Sequence, residues 1–229
     1  MNAKIKNIDT LKAILIALFA ALILRQFVIA AYKIPTGSME NTLLVGDFLL
    51  VNKFVYGAQT PEWIGIPFTR IGSEIPSFRF PYVTEPKPYD IVVFRYPKDP
   101  YLDYIKRCIA VGGQTVESRN KKIFIDGNPF PIPPKIKYID RRIFGRQYYD
   151  DTFFEGNRDN FGPIRVPLNH YFVMGDNRDN SLDSRYWGFV PSENMIGRPL
   201  IIYLSWAQYE STFNPLKKIR WSRLGKVIR

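Results

Sequence analysis

The hydrophobic pattern divides the chain into two unlike parts. Between Ala13 and Leu24 the sequence AILIALFAALIL is apolar without a break, and Ile8 and Leu11 extend it backward past Asp9 and Lys12. Arg25 and Gln26 then interrupt it before FVIAAY. A membrane-spanning helix needs roughly 20 apolar residues, about 17 at the short end. Ile8–Leu24 reaches that length only if Lys12 extends its ammonium toward the headgroups. After this run no long stretch of helical periodicity occurs. Apolar positions instead alternate or cluster in short segments, predicting strands over Val28–Pro35, Phe48–Tyr56, Asp90–Pro97, Tyr104–Val111, His170–Asp176 and Arg198–Trp206. The unbroken DIVVFRYP predicts a strand buried on both faces, and Asp126-Gly127-Asn128 in KKIFIDGNPF predicts a hairpin turn. The pattern predicts a mainly β domain.

Three readings of the apolar run compete. A cleaved signal peptide would show a basic start, an apolar core and small residues such as Ala30-Ala31 near the cut. A buried core helix suits the length but not the flanks, whereas a retained single transmembrane anchor suits both. Lys4, Lys6 and Lys12 predict an N-terminus on the inner face with the remainder translocated, while Arg25 and Lys33 weaken that asymmetry.

Two stretches break the strand rhythm. Gly57–Lys87 is rich in proline and aromatic residues and reads as an extended loop with exposed apolar surface, and Pro129–Val166 is polar, charged and tyrosine-rich. The organisation expected is a short N-terminus at 1–7, an anchor at 8–25, and a catalytic β domain from 26–128 and 167–214. An inserted cap subdomain occupies 129–166, and a basic tail 215–229.

Composition narrows the chemistry. A formal charge of +11 makes nucleic acid and anionic lipid the acidic partners to weigh. Part of that excess lies in the acid-free PLKKIRWSRLGKVIR, either a solvated tail or one touching headgroups. No recognition helix or aromatic platform supports nucleic-acid binding. The one cysteine, Cys108, excludes an internal disulfide, and the one histidine, His170, leaves little room for zinc chemistry or a histidine-based dyad.

Met174–Pro191, MGDNRDNSLDSRYWGFVP, is dense in side chains that bond turns, predicting a rigid self-bonded loop. Asp176, Asn180 and Asp183 could offer oxygens to calcium, but Arg178 and Arg185 sit among them and the spacing is not that of an EF-hand. Lys106, between apolar neighbours in a strand, either faces solvent and pairs with an acid or is desolvated toward neutrality. A neutral amine can take the proton of a serine hydroxyl. Ser38, in the turn Thr36-Gly37-Ser38, has no histidine nearby in sequence to serve it.

Taken together, TGSMENTLLVGDFLLVNKF, YDIVVFRYPKDPYLDYIKR and GDNRDNSLDSRYWG, in that order behind an apolar segment, resemble the bacterial type I signal peptidase family. The resemblance covers roughly a third of the chain at high density. It implies an antiparallel β fold with a smaller inserted β-rich cap subdomain behind a single transmembrane helix. Ser38 matches the family's nucleophile and Lys106 the general base of its Ser–Lys dyad. Thr36 falls where the family often has a serine of the oxyanion hole. Ser181 matches the serine that orients the lysine, Asp183 and Arg185 a supporting ion pair, and Asp176 the same shell. Ile34, Met39, Leu43, Tyr104 and Ile105 match positions lining the pockets for small residues at −1 and −3, with Val93, Tyr32 and Leu49 extending them. Two departures stand out: Asn41 replaces the proline of Ser-Met-x-Pro-Thr, and Ala110-Val111-Gly112-Gly113-Gln114 replaces Gly-x-Pro-Gly-Asp.

The resemblance implies a serine endopeptidase without metal or cofactor, held in the cytoplasmic membrane with its catalytic domain on the outer face. Its partners would be signal-peptide-bearing preproteins, cut after Ala-x-Ala-like junctions, and membrane lipid. The competing expectation is a non-enzymatic exported β protein whose Ser/Asp-rich loop is structural.

Overall fold

A computed structural model describes the backbone of residues 2–60, 63–65, 71–207 and 215–229. The N-terminal segment is one helix, α1 (Asn2–Phe27), whose window Thr10–Phe27 has mean hydropathy 1.8 and no buried residue, only its last residues touching the rest of the chain. Leu15, Ile16, Phe19 and Leu22 are all exposed, the arrangement expected of a helix whose apolar surface is covered by lipid.

The strands that follow are β1 (Ile29–Lys33), β2 (Asp47–Asn52), β3 (Trp63–Gly65), β4 (Gly72–Glu74) and β5 (Ile91–Tyr96). They continue with β6 (Asp99–Val111), β7 (Thr115–Arg119), β8 (Lys122–Ile125) and β9 (Asn128–Pro129). After a long excursion come β10 (Phe161–Arg165), β11 (His170–Met174), β12 (Val190–Pro191) and β13 (Met195–Ser205), with a one-turn helix α2 (Ser184–Trp187) before β12. The main sheet has seven strands in the order β1-β2-β13-β5-β6-β11-β12, with antiparallel neighbours throughout.

The apolar run of β5 is explained by its central position. Ile91 and Val93 enter one core cluster with Leu49, Val51 and Ile202, while Val92 and Phe94 enter another with Cys108, Val173 and Met195. Successive strand residues point to opposite faces, so a strand with two covered faces must be apolar at every position. β2 shows the one-sided case, with Asp47, Leu49 and Val51 buried and the residues between them only half-buried.

A second, four-stranded sheet has the order β10-β7-β8-β9. It draws strands from both sides of position 129, pairing β7 with β10 from within the tyrosine-rich stretch. Val116, Ile123, Phe161 and Ile164 pack there with Ile109 and Phe172 of the main sheet, so β6 and β11 serve both layers. β7 lacks a clear alternation in sequence because Glu117 and Ser118 within it are buried and polar, and β10 because Gly162 and Pro163 stand between its apolar positions.

The C-terminal segment is not a free tail. Its backbone bonds to β13 through Ile202 N to Lys226 O (3.0 Å), Gly225 N to Ile202 O (2.8 Å) and Ile228 N to Leu200 O (2.9 Å). Arg223 forks onto buried Asp47, with Nε 3.0 Å from Oδ1 and Nη2 2.5 Å from Oδ2, and Ile228 joins the β2–β5 core cluster. Part of the segment's basicity therefore belongs to the interior.

The proline- and aromatic-rich loop lies against the end of α1. Gln26 Nε2 donates to Gln59 O at 2.9 Å, and Phe27 meets Phe80 edge-on at 5.8 Å. Phe78, Phe80, Tyr82 and Val83 are exposed nearby in the chain; residues 61–62 and 66–70 of this loop lie outside the described residues.

Candidate active site

β1 delivers the chain into a single tight turn, Gly37–Met39, which presents Ser38 half-exposed. The turn is anchored at both sides. Met39 is fully buried, and Asn177 grips the backbone: its N–H donates to Ser38 O (3.0 Å) and its Nδ2 to Gly37 O (3.0 Å) and Glu40 Oε2 (3.2 Å). Asn41 follows with φ 74. Asparagine tolerates that left-handed conformation, whereas the proline expected there is locked near −65°. The departure at Asn41 is therefore matched by a locally different backbone. The departure at 110–114 is likewise accommodated: Gly113 has φ 89, and Gln114 Oε1 accepts from Val111 N at 3.0 Å.

Lys106 projects from β6, is 4% exposed, and places Nζ 2.7 Å from Ser38 Oγ. Burial pulls its pKa down to about 8; the charge of Asp183 opposes the fall and that of Arg185 adds to it. An amine so poised is neutral in a useful fraction of molecules near neutrality, within hydrogen-bond distance of a hydroxyl.

The loop between β11 and α2 supports this pair. Asp183 caps α2, accepting from Arg185 Nε (2.9 Å) and Nη2 (2.9 Å) and from Gly175 N (3.0 Å). Burial disfavours the Asp183 carboxylate, but the charge and hydrogen bonds of Arg185 outweigh it and hold the carboxyl below its ordinary range. Asp176 accepts from Arg107 Nε (2.8 Å) and Nη2 (2.7 Å) and from Thr42 Oγ1 (2.6 Å), tying β6, the loop and the segment after Ser38 together. Both carboxylates offered to calcium in the alternative reading are thus taken by arginine. Gly175 is where the elements come closest: a Cβ there would lie 2.2 Å from Ser181 Oγ and 2.5 Å from Ser38 O.

An open cleft of about 260 Å³ runs past the pair, lined by Pro35, Thr36, Gly37, Ser38, Asp103, Tyr104, Ile105, Lys106, Asn180 and Leu182. Of the expected substrate-contacting residues it includes Tyr104 and Ile105. Ile34, Met39, Leu43, Val93 and Leu49 are instead nearly fully buried in the core cluster. They occupy inward positions of β2, β5 and the turns beside β1, so their side chains pack the sheet and do not line the opening. Tyr32 is half-buried at the edge of that cluster and hydrogen-bonds Asp103. Thr36 lines the cleft with an exposed hydroxyl that caps no N–H of its turn. Ser181 is brought into the cluster, but its buried hydroxyl makes no hydrogen bond among the described residues, to Lys106 or otherwise. The amine is directed at Ser38 instead.

The sequence pattern did not single out Asn177, Arg107, Thr42 or Leu182, and it offered Asn180 only as a calcium donor, whereas Asn180 lines the cleft. Arg107 carried a signal, since a second cation beside Lys106 in a strand heading into the core needs an acid within reach. The roles of Asn177 and Thr42 depend on contacts 140 and 134 residues distant, which no local pattern encodes.

The chain is similar to proteins of one known family. The model of the family described as "Signal peptidase, peptidase S26" matches residues 7–206. Signal peptidase I of Pseudomonas fluorescens is 34% identical over 235 residues, covering 92% of this chain and 75% of that protein. Signal peptidase I of Aquifex aeolicus is 34% identical over 267 residues, covering 92% of this chain and 94% of its own. Among solved structures, a signal peptidase I from Enterococcus faecalis V583 aligns with 51% of this chain and 97% of its own, at 27% identity and a TM-score of 0.38.

Proposed function

We propose that this chain, which belongs to the signal peptidase family, peptidase S26, cuts signal peptides from exported preproteins with Ser38 as nucleophile and Lys106 as general base. The observation that carries the reading is the 2.7 Å approach of a buried, desolvated Lys106 Nζ to Ser38 Oγ at the wall of an open cleft. The neutral amine takes the Ser38 proton as Oγ bonds to the scissile carbonyl carbon, giving a tetrahedral oxyanion. Lys106, now an ammonium, returns that proton to the leaving amine as the C–N bond breaks, leaving an ester on Ser38. Water then gives a proton to Lys106 and attacks the ester, and the C–O bond to Ser38 breaks with Oγ reprotonated. The backbone N–H of Ser38 and the free hydroxyl of Thr36 are the donors proposed for the oxyanion. Asp183 and Arg185 position the loop, and Asn177 fixes the turn.

Membrane attachment follows from the same geometry. Ser38 lies eleven residues beyond Phe27, the end of α1, a chain that spans at most about 36 Å at ~3.3 Å per residue, so the nucleophile stays within that reach of the helix end. A substrate held in the bilayer by its own apolar segment would present its junction at that height. The exposed Phe78, Phe80 and Tyr82 would rest on the outer leaflet, with the N-terminus of α1 on the cytoplasmic side. The narrow cleft between Tyr104, Ile105 and Leu182 suits small residues at −1 and −3.

The test is cleavage of a preprotein ending its signal in Ala-x-Ala, scored by N-terminal sequencing of the product. Wild type should cut at the junction, Ser38→Ala and Lys106→Ala should not, and bulky residues at −1 or −3 should block cutting. Equal cleavage by both variants and wild type would falsify the reading.

A further inference from the structure

Among the described residues five cationic side chains are almost fully buried: Lys106, Arg107, Arg178, Arg185 and Arg223. Arg107, Arg185 and Arg223 each fork onto a buried aspartate, and Lys106 relieves its burial by losing charge readily. Arg178 does neither. It is 4% exposed, its Nε is buried without a hydrogen-bond partner, and its guanidinium has no carboxylate or carbonyl partner among the described residues. Its neighbour Asp179 is already occupied, accepting from Ile139 N (2.7 Å), Asp140 N (2.8 Å) and Lys121 Nζ (3.3 Å). A guanidinium held in the interior with a buried donor left unpartnered is costly, because burial disfavours its charge and Nε has lost its water.

Arg178 also lines a cavity of about 400 Å³ in the second sheet, separate from the cleft at Ser38. The walls are apolar, with Ile123, Phe124, Phe130, Ile132 and Ile136 prominent. Two lysines also line it: Lys121 is engaged by Asp140 O at 2.6 Å and by Asp179, and Lys122 is exposed at the rim. The cavity thus offers an apolar body and one unsatisfied planar fork. That fork matches the two oxygens of a carboxylate.

The geometry points to a second binding site here, one that takes a small apolar carboxylic acid with its carboxylate on Arg178 and its apolar part against Ile123, Phe124 and Phe130. The carboxylate could be the C-terminus of a short apolar peptide or the head of a fatty acid. The two sources share this chemistry and are separable by experiment. Arg178 touches neither Ser38 nor Lys106, so the inference stands independently of the catalytic assignment.

The experiment uses the full chain in non-ionic detergent, followed by thermal denaturation and by titration calorimetry. Three probes are added separately: acetyl-Ala-Leu-Ala as the free acid, the same peptide as its C-terminal amide, and octanoate. At least one acid should raise the melting temperature in a concentration-dependent way, with the amide inert. A response to the peptide acid alone assigns a peptide source, and a response to octanoate alone a lipid source. Arg178→Met should melt higher than wild type without probe and bind the acid at least about tenfold more weakly, the factor that corresponds to about 1.4 kcal/mol. Equal responses to acid and amide, no response to either acid, or a lower melting temperature for Arg178→Met would each overturn the inference. The acid–amide comparison on the unaltered chain decides the matter even if Arg178→Met does not fold.

Discussion

Lys106 allows the sharpest numerical prediction. Burial moves its pKa from 10.5 to about 8, so at pH 7 roughly one amine in ten is neutral, against roughly one in three thousand for an ordinary lysine. The fold therefore raises the population of competent base about 300-fold, the equivalent of about 3 kcal/mol spent in stability. Two outcomes follow. The rate kcat/KM should climb with pH and level off around a midpoint near 8. Between about pH 8 and 10.5 the unfolded chain binds the proton that the folded chain has released, so this group makes stability rise with pH across that window. Below pH 8 the penalty is present in full. Lys106→Met removes the penalty and should be inactive yet more stable than wild type at pH 7, by up to about 3 kcal/mol. The assay is a pH series of fluorogenic-peptide cleavage beside urea unfolding of wild type and Lys106→Met. A rate midpoint near 10, or a Lys106→Met chain less stable at pH 7, would refute the argument.

Other outcomes test the surrounding geometry. Gly175→Ala should drive a methyl into Ser38 O and Ser181 Oγ, at 2.5 and 2.2 Å, and lower kcat on the order of 100-fold, measured at saturating substrate. Thr36→Val should lower kcat by a similar factor of about 100 with melting temperature unchanged, because its hydroxyl caps nothing in the resting turn. Arg223→Ala takes the forked cation from buried Asp47, leaving it Ser205 Oγ, Leu44 N and a 4.0 Å ion pair with Arg220, and should cost up to about 3 kcal/mol in unfolding, whereas exposed Lys217→Ala should stay within about 0.5 kcal/mol.

The fold was legible where one face or both faces of a strand are apolar. β2, β5 and β11 carry that signature, and the long apolar run marked α1. β7 escaped notice because Glu117 and Ser118 are buried and polar: Arg119, two residues on, pairs with Glu117, but Asp159 O, which accepts from Ser118, is 41 residues away and supplied only by tertiary structure, while β10 carries Gly162-Pro163 in place of an alternating pattern. The C-terminal segment misled for a related reason. A run without acids reads as solvated, but the acid that pairs with Arg223 lies 176 residues earlier. At the site, the hydroxyl and the amine were identifiable from their motifs, while the selection of cleft-lining residues was not. Apolar residues near Ser38 look alike in sequence whether they pack the sheet, as Met39 and Leu43 do, or line the open cleft, as Ile105 does.

The central claim is that Ser38 itself becomes acylated with help from Lys106. Its most direct test is acid quenching of the full chain during turnover of a slowly hydrolysed alanine ester, followed by peptide mapping in a mass spectrometer. The account predicts an acyl group on the peptide containing Ser38, formed faster as pH rises through about 8 and absent from Lys106→Ala. An acyl group mapped to Thr36, Thr42 or Ser181, or acylation of Ser38 undiminished in Lys106→Ala, would contradict it.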